Sequence, residues 1–256
     1  MAAKSRFQRR VVVATILFGL ATSPFAETIG WLPPPTLMDA SIEGQDTATP
    51  AAALTATDLL ARASRRLAET ESIRFELDVE GITFLDTNGQ IRLLEAKGEL
   101  LRPDRVSTSF KAEALGQVIS INLIAVGDRA WTTDLLSGNW GEAPQEFAYR
   151  PSILFDQKVG IGPVMDQVSD AVRLPDEELE GEEMHRVRAV VDAAVIDPMT
   201  YSTITGSPIT VDLWIDPETD DLVRARLAEP ANDIDPAVWT LDFSAHGEEV
   251  SIEPPI

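Results

Sequence analysis

Apolar and polar residues alternate along most of this chain, and the alternation is clearest between residues 208 and 227. The apolar positions of the first arm are Ile209, Val211, Leu213 and Ile215. An acidic, proline-containing turn follows at 216–221, and the alternation resumes from Leu222 to Leu227. A period of two on both arms of a turn predicts a β-hairpin with one apolar face.

The same period predicts further strands on both sides of this hairpin. They lie at about 73–80, 91–96, 106–112, 118–126, 173–180, 184–191 and 239–243, with a short strand through Trp131. Gly81 interrupts the first of them, so that Ile82 and Phe84 continue on the opposite parity, as in a β-bulge. Asn88-Gly89 is typical of a two-residue hairpin turn.

Three segments have helical spacing instead. Thr57 is expected to cap a first helix, whose apolar stripe is Leu59, Leu60, Ala63 and Leu67. The apolar residues between 151 and 172 predict one or two helices, broken near Gly160 and Gly162. Asp192 is expected to cap a short helix that ends at Met199.

The order of these elements is a helix, about five strands, helices, and about five more strands. This order indicates an α+β chain dominated by one antiparallel sheet. A sheet of about 10–11 strands twists and curls. We therefore expect a single large curved sheet, a half-barrel, with helices covering its concave face.

The N-terminal region has a different composition. Residues 1–26 combine a basic stretch, an apolar run from Val11 to Ala21 and small residues, as in an export signal. Eleven apolar residues are short for a membrane span, although an uncleaved anchor stays an alternative. Residues 27–53 are rich in Pro, Ala and Thr and predict a tether. The folded domain is expected at 54–256, outside the cytoplasm.

The charge of the chain narrows the possible partners. Lys4, Arg6, Arg9 and Arg10 precede the first acidic residue, and without them 17 basic side chains face 42 acidic ones, a net charge of −25. Such a surface repels phosphate backbones, which argues against nucleic-acid binding. High solubility outside the cytoplasm is the simplest explanation of this charge.

The residues that carry chemistry in other proteins are scarce here. The chain has no cysteine, which excludes disulfides, thiolate chemistry and lipid attachment through cysteine. Two histidines exclude a His-rich metal site, and no cofactor is indicated. The acidic stretches 177–183 and 216–221 are expected to be solvated turns, with a weak calcium site as the alternative.

No catalytic constellation emerges from the pattern. His185 shares its parity with apolar strand residues and is expected to be half-buried and structural, whereas His246 lies in a polar turn and is expected to be solvated. A G-x-S-x-G motif is absent, and no pair of carboxylates stands out among 42 acidic residues. We expect a protein that is not an enzyme.

Eight segments in order resemble one family. After the amphipathic opening helix come ESIRFELDVEG (71–81), LRPDRVSTSF (101–110), VGDRAWTTDLLSGNW (126–140), RPSILFDQKVGIGPVMDQVSDAV (150–172), ELEGEEMHRVRAVV (178–191), VDLWIDPETDDLVRARL (211–227) and LDFSAHGEEVSIEPP (241–255). This series is similar to the LppX–LprAFG family of bacterial envelope lipoproteins, which carry lipids in a curved-sheet fold akin to the Lol-type carriers. Members usually have a lipobox cysteine where this chain has Ser23, so lipid attachment at that position is not expected.

The resemblance implies an apolar cavity between the concave sheet and the helices, which holds the acyl chains of a lipid or glycolipid. The expected lining residues are Phe75, Leu77, Val79, Phe110, Ile121, Leu123, Leu154, Ile161, Met165 and Val168. Periodicity alone favours the alternative that the same residues form a closed, dry core, and it is the resemblance that favours a cavity. Trp214 and Trp239 are expected to be packing residues with hydrogen-bonded indoles. The alternative is that Trp131, Trp140, Trp214 and Trp239 line the mouth of the cavity.

The hypothesis from the sequence is an exported, non-catalytic lipid-binding or lipid-transfer protein of the cell envelope. We expect a monomer that touches the membrane peripherally. The alternative is an envelope sensor or protein-interaction domain of the same fold with a filled cavity. A hydrolase that depends on His185 is a third and weaker interpretation.

Overall fold

The computed structural model describes residues 54–84, 90–134, 137–143, 151–200, 204, 206–229 and 237–255. The predicted export segment (1–26) and tether (27–53) lie outside the described residues, as does the predicted Asn88-Gly89 turn. Within the described ranges, no helix is long and apolar enough to cross a membrane.

Eleven antiparallel strands form one sheet in this part of the chain. The strands are β1 (Ser72–Glu80), β2 (Ile91–Leu101), β3 (Arg105–Ala114), β4 (Gln117–Val126), β5 (Arg129–Thr133), β6 (Trp140–Glu142), β7 (Ser169–Leu179), β8 (Glu182–Val191), β9 (Ile209–Ile215), β10 (Leu222–Ala228) and β11 (Val238–Ser244). Their spatial order is β6-β5-β4-β3-β2-β1-β11-β10-β9-β8-β7. The sheet is open, with β6 and β7 at its edges, which confirms the predicted α+β half-barrel.

The first and last strands of the domain pair at the centre of this sheet, where Leu77 lies opposite Leu241. Every other described pair joins strands that are consecutive in the sequence. The sheet therefore consists of two meanders, β1–β6 and β7–β11, that meet along β1 and β11.

The helices define the two ends of the sheet. Helix α1 (Ala56–Glu69) leads into β1, and we call the end of the sheet near Ser72 the α1 end. Helix α3 (Ala193–Thr200) joins the last residue of β8 to β9, and we call the end near Glu80 and Ala228 the α3 end. A 3₁₀ helix (Pro151–Phe155) and helix α2 (Ile161–Met165) lie between β6 and β7 in the sequence.

The N-cap of helix α1 lies two residues earlier than predicted. Thr55, and not Thr57, caps it: the backbone N–H of Asp58 donates to the Thr55 hydroxyl, and the N–H of Thr55 donates to the Asp58 carboxylate. This reciprocal capping box satisfies two backbone donors at once, which explains the choice of cap. The apolar stripe of the helix is buried against the sheet as predicted.

The segment after β6 contains less helix than its apolar spacing predicted. A Cβ on Gly160 would lie 2.5 Å from the carbonyl oxygen of Asp156, so the chain turns there instead of continuing as a helix. Strand β7 then starts at Ser169, four residues before its predicted start. Val172, whose spacing suggested a helix, is 55% exposed on this edge strand.

The predicted bulge at Gly81 is wrong. Strand β1 ends at Glu80, and Gly81 has a positive φ of 88°, a conformation that favours glycine. Ile82 and Phe84 follow on the exposed side, while Thr83 between them is buried. The apolar residues after Gly81 therefore do not rejoin the inner face of the sheet.

Candidate functional site

A cavity of ≈130 Å³ lies between the inner face of the sheet and the helices, and it is partly open. Its wall consists of Phe75, Leu77, Ala96, Phe110, Leu154, Ile161, Val164, Met165, Val168, Val191, Ile196, Met199, Thr200, Ile204, Val211, Leu213, Ala225, Leu227, Trp239 and Leu241. Apart from the Thr200 hydroxyl and the Trp239 indole, these side chains are apolar. Such a wall offers few hydrogen-bond partners to a polar guest and favours hydrocarbon.

One row of side chains across six strands forms the floor of the cavity. In register from β3 to β9, the row is Phe110, Ala96, Leu77, Leu241, Ala225 and Leu213. Ala96 lies between Leu77 and Phe110, and Ala225 lies between Leu213 and Leu241. A methyl group fills less space than its large neighbours, so the two alanines leave a depression in the floor on each side of the central pair.

Short helices form the cover of the cavity. The 3₁₀ helix contributes Leu154, helix α2 contributes Ile161, Val164 and Met165, and Val168 follows in the connection to β7. Helix α3 closes the side near β8 and β9 with Ile196 and Met199. The predicted cap of α3 is present, because the backbone N–H of Ala194 donates to the Asp192 carboxylate at 2.9 Å.

Seven of the ten residues predicted for the cavity lie in its wall. They are Phe75, Leu77, Phe110, Leu154, Ile161, Met165 and Val168. Val79, Ile121 and Leu123 lie outside it, although they occupy the same face of the sheet. Ile121 and Leu123 are buried on β4, one strand beyond Phe110, and Leu123 packs in the core under α1. Whether lipid contacts any of the ten stays a prediction.

Sequence reasoning missed the wall on β9–β11 and α3. The alternation of Val211 and Leu213 predicted that they share a face with Ile209, but it did not say that this face borders a cavity. The two floor alanines gave no signal, because a small side chain is compatible with a packed core as well as with a cavity. Residues on α3 were predicted as a helix and not as a wall.

The two central tryptophans differ. Trp239 borders the cavity, and its Nε1–H donates to the Glu229 carboxylate at 2.8 Å. Trp214 is buried on the opposite face of the sheet under the Arg186 guanidinium, 4.9 Å from the ring centroid. Its Nε1–H has no hydrogen-bond partner within the described ranges, so the predicted indole bond is present in Trp239 but not in Trp214.

Charged side chains on β8–β11 lie on the convex face, away from the cavity. Burial alone would raise the pKa of Asp212, but hydrogen bonds from Arg188 and Arg186 outweigh it and lower the pKa below its usual value. Arg224 binds Asp242 in the same way on the neighbouring strands. The alternation of each strand therefore separates an ionic surface from an apolar one.

Glu229 is an ionisable group that is hydrogen-bonded to Trp239 in the cavity wall. Burial raises the pKa of its carboxyl, and the hydrogen bond from Trp239 only partly offsets this shift. The carboxyl thus lies where the sheet passes from the apolar wall to solvent at the α3 end.

The histidines lie outside the cavity wall. His185 is half-buried, as predicted, with its Nδ1 3.2 Å from the Asp176 carboxylate and 3.2 Å from Arg173. The prediction that His246 is solvated is wrong: its Nε2 lies 3.1 Å from the Leu222 carbonyl oxygen, and burial lowers its pKa. Among the described residues, neither imidazole has a serine hydroxyl as a hydrogen-bond partner.

A second cavity of ≈300 Å³ lies between α1 and the cover. It is more polar, with Arg65, Arg102, Asp156 and Asp166 among its lining residues. Leu154 borders both cavities and is half-buried. A rotation of this side chain would therefore change the separation between the apolar and the polar space.

Comparisons with known proteins agree with this architecture. The chain resembles the crystal structure of LprF from Mycobacterium bovis with a TM-score of 0.62 and 20% identity, over 78% of this chain and 96% of that one. It resembles LppX from Mycobacterium tuberculosis with a TM-score of 0.56 and 14% identity, over 77% and 98% of the two chains. At these identities, the likeness shows the fold.

A search of curated protein sequences finds no significant match. The family model described as LppX_LprAFG lipoprotein matches residues 55–252, which is nearly the whole domain. The chain therefore belongs to the LppX_LprAFG lipoprotein family.

Proposed function

We propose that this protein binds or transfers lipid in the cell envelope without catalysing a reaction, and that acyl chains occupy the cavity under the sheet. The observation that carries this proposal is the row of six apolar side chains with two alanines, covered by short helices. An apolar cavity in a protein normally costs stability, because its lining side chains lose contacts. A guest of hydrocarbon restores those contacts.

The volume limits what the cavity holds in this conformation. An apolar cavity of about 150 Å³ accommodates one benzene molecule, and the cavity here measures ≈130 Å³. It therefore accepts a few methylene groups, and a longer acyl chain has to displace part of the cover. The floor belongs to a continuous hydrogen-bonded sheet, whereas the 3₁₀ helix and α2 are five residues each, so we assign the movement to these two elements.

The free energy gained per buried methylene group favours long acyl chains. Each buried methylene contributes about 0.8 kcal/mol, so eight of them supply about 6 kcal/mol before the cost of association. The polar head group cannot enter, since the wall offers it almost no hydrogen-bond partner. We expect the head group to stay at the surface, which allows lipids and glycolipids with similar acyl chains to bind.

The proposal includes the location and state of the protein. Residues 1–26 would export the chain, which is then either released or held at the outer side of the cytoplasmic membrane by its own apolar segment. Ser23 in place of the usual cysteine removes the lipid anchor of other family members. In this account the domain works as a monomer without cofactor, metal or nucleic acid.

Native mass spectrometry of the full chain after gentle purification tests the function. We expect near-stoichiometric lipid on the wild-type protein and none on Ala225→Phe, whose ring fills the floor depression. Ala194→Phe is the matched control, because Ala194 is exposed on α3. Bare wild-type protein with high thermal stability would instead support the alternative, a sensor or protein-interaction domain.

A further inference from the structure

Four exposed apolar side chains cluster at the α3 end of the sheet, on the face opposite the cavity. Ile82 and Phe84 are 36% and 38% exposed, Val118 is 65% exposed, and Leu115 is fully exposed. Phe84 pairs with Arg92, Arg92 with Glu113, and Glu113 with Val118. We call Ile82, Phe84, Leu115 and Val118 the apolar tip.

The turn at the centre of the apolar tip is unusual in its sequence. Ala114 pairs with Gln117, so Leu115 and Gly116 form a two-residue turn, with φ of 52° and 74°. Positive φ at both positions defines a type I′ turn, which strongly favours Asn-Gly or Asp-Gly. A leucine there is unfavourable for the backbone, and its side chain is fully exposed, so an apolar contact outside the described residues would account for its presence.

From this tip we infer that the α3 end docks on a lipid bilayer, with Leu115 and Val118 inserted at the interface. The inference rests on the proposed function. The cavity floor extends toward this same end of β1, β10 and β11. A carrier has to bring its cavity close to the membrane before an acyl chain can move between them. The apolar tip supplies that contact.

The small size of the apolar tip favours a bilayer over a protein partner, and the charge of the chain determines how the bilayer is contacted. Four side chains cannot supply the roughly 800 Å² per partner that a stable protein interface buries, but shallow insertion of a few apolar groups suffices for reversible membrane binding. The excess of 42 acidic over 21 basic residues also repels anionic lipid. Membrane contact therefore has to come from apolar insertion rather than from basic side chains.

The charged pair that lies between Phe84 and Val118 fits the same orientation. Arg92 and Glu113 lie between Phe84 and Val118, with Nη1 and Oε2 3.8 Å apart. The Nη2–H of Arg92 also donates to the Gly81 carbonyl oxygen, with an N–O distance of 2.7 Å. With the turn inserted, this pair would stay at the level of the head groups, where charged side chains remain hydrated.

The absence of cysteine allows a local test on the full chain. Val118→Cys and the control Val172→Cys each carry one environment-sensitive fluorophore, and both valines are exposed on strands. On addition of phosphatidylcholine vesicles, we expect a blue shift and higher intensity at position 118 and no change at 172. No change at 118, or the same change at both positions, overturns the inference.

A second measurement separates docking from carrying. Leu115→Asn with Val118→Thr should slow transfer of a fluorescent phospholipid between vesicles by about tenfold, while the lipid load in native mass spectra stays unchanged. The control Val172→Thr should change neither the transfer rate nor the lipid load. If the double variant transfers lipid at the wild-type rate, the docking inference is wrong and the proposed function is unaffected. If the purified wild-type protein carries no lipid, the proposed function is wrong, and the fluorophore measurement still decides whether the apolar tip docks.

Discussion

The inner face of the sheet is packed solid at the α1 end and hollow toward the α3 end. At the α1 end, Ile73, Leu100 and Val106 have almost no exposed surface and pack under helix α1. Four residues further along the same strands, the row with Ala96 and Ala225 borders the cavity. The same strands run through both regions, so we attribute the difference to the side chains and to the cover.

The two covers are held very differently. Helix α1 has 14 residues and a capping box, and Arg66 binds Asp221 at 2.7 Å near its C-terminus. Arg102 donates to the carbonyls of Leu67, Thr70 and Phe155. The cover near Gly160 has two elements of only five residues, which are attached to the rest of the domain at single carbonyls, Phe155 to Arg102 and Gly162 to the Ser64 hydroxyl. A fixed end and an adjustable end on one sheet would let the protein accept a guest without losing its fold.

Truncation of a core side chain at the α1 end should have the largest effect on stability. We expect Leu100→Ala to lower the free energy of unfolding by about 2–5 kcal/mol, because it opens a new cavity in a packed core. Leu77→Ala in the cavity floor should cost less than half as much, since Leu77 already borders empty space. Urea unfolding monitored by circular dichroism measures both, and equal losses would contradict the difference between the two regions.

Removal of Arg102 should have the next largest effect. Arg102→Ala leaves the carbonyls of Leu67, Thr70 and Phe155 without this donor and also removes the guanidinium that lies 4.2 Å from the Phe155 ring centroid. We expect a loss of about 2–3 kcal/mol in chemical unfolding. Arg102→Lys should recover only part of it, because an ammonium group lacks the planar fork. Full recovery by lysine would show that charge, and not geometry, fixes the end of α1.

Filling the floor should have a smaller effect and the opposite sign. Ala96→Leu adds apolar contacts inside existing space, so we expect unchanged or slightly higher thermal stability together with weaker binding of a fluorescent fatty acid. The matched control is Ala112→Leu, on the same face but outside the cavity wall and fully buried, where overpacking should cost about 1–3 kcal/mol. Destabilisation by both changes would mean that the floor has no spare volume.

The smallest expected effect is the pH dependence caused by Glu229. Because burial raises the pKa of this carboxyl above its ordinary value of 4.5, its ionised form is disfavoured in the folded protein. The penalty is present above the folded pKa and disappears as the pH falls through it. We expect Glu229→Gln to stabilise the protein by less than about 1 kcal/mol at pH 7. The advantage should vanish near pH 4, and urea midpoints at the two pH values measure it.

Strand alternation predicted the sheet well because a period of two fixes which side chains share a face. It placed Phe75, Leu77 and Phe110 on the inner face, together with Val79, Ile121 and Leu123. Alternation carries no information about position along the barrel, and for this reason it could not separate wall residues from core residues. The sequence also predicted the cover, through Leu154, Ile161, Met165 and Val168. These apolar side chains face the sheet whether their segment is a helix or a turn.

The cavity itself could not be predicted from local pattern, because it depends on which small residues meet across strands. Ala96 and Ala225 are 129 positions apart and belong to one row only because β1 pairs with β11. The family resemblance suggested a cavity, but its floor emerged from the register. Trp239 is a further example. Its hydrogen-bonded indole was predicted from the residue type, whereas its position in the wall depends on the pairing of β11 with β10 and β1.

The central claim is that hydrocarbon occupies the space above the six-strand floor. Photo-crosslinking of the full chain with a phospholipid that carries a diazirine in its acyl chain, followed by peptide mass spectrometry, tests this directly. We predict labels on β1, β2, β10 and β11 around Leu77, Ala96, Ala225 and Leu241, and on the cover near Leu154. Labels confined to the convex face, or an even distribution over the surface, would contradict the account.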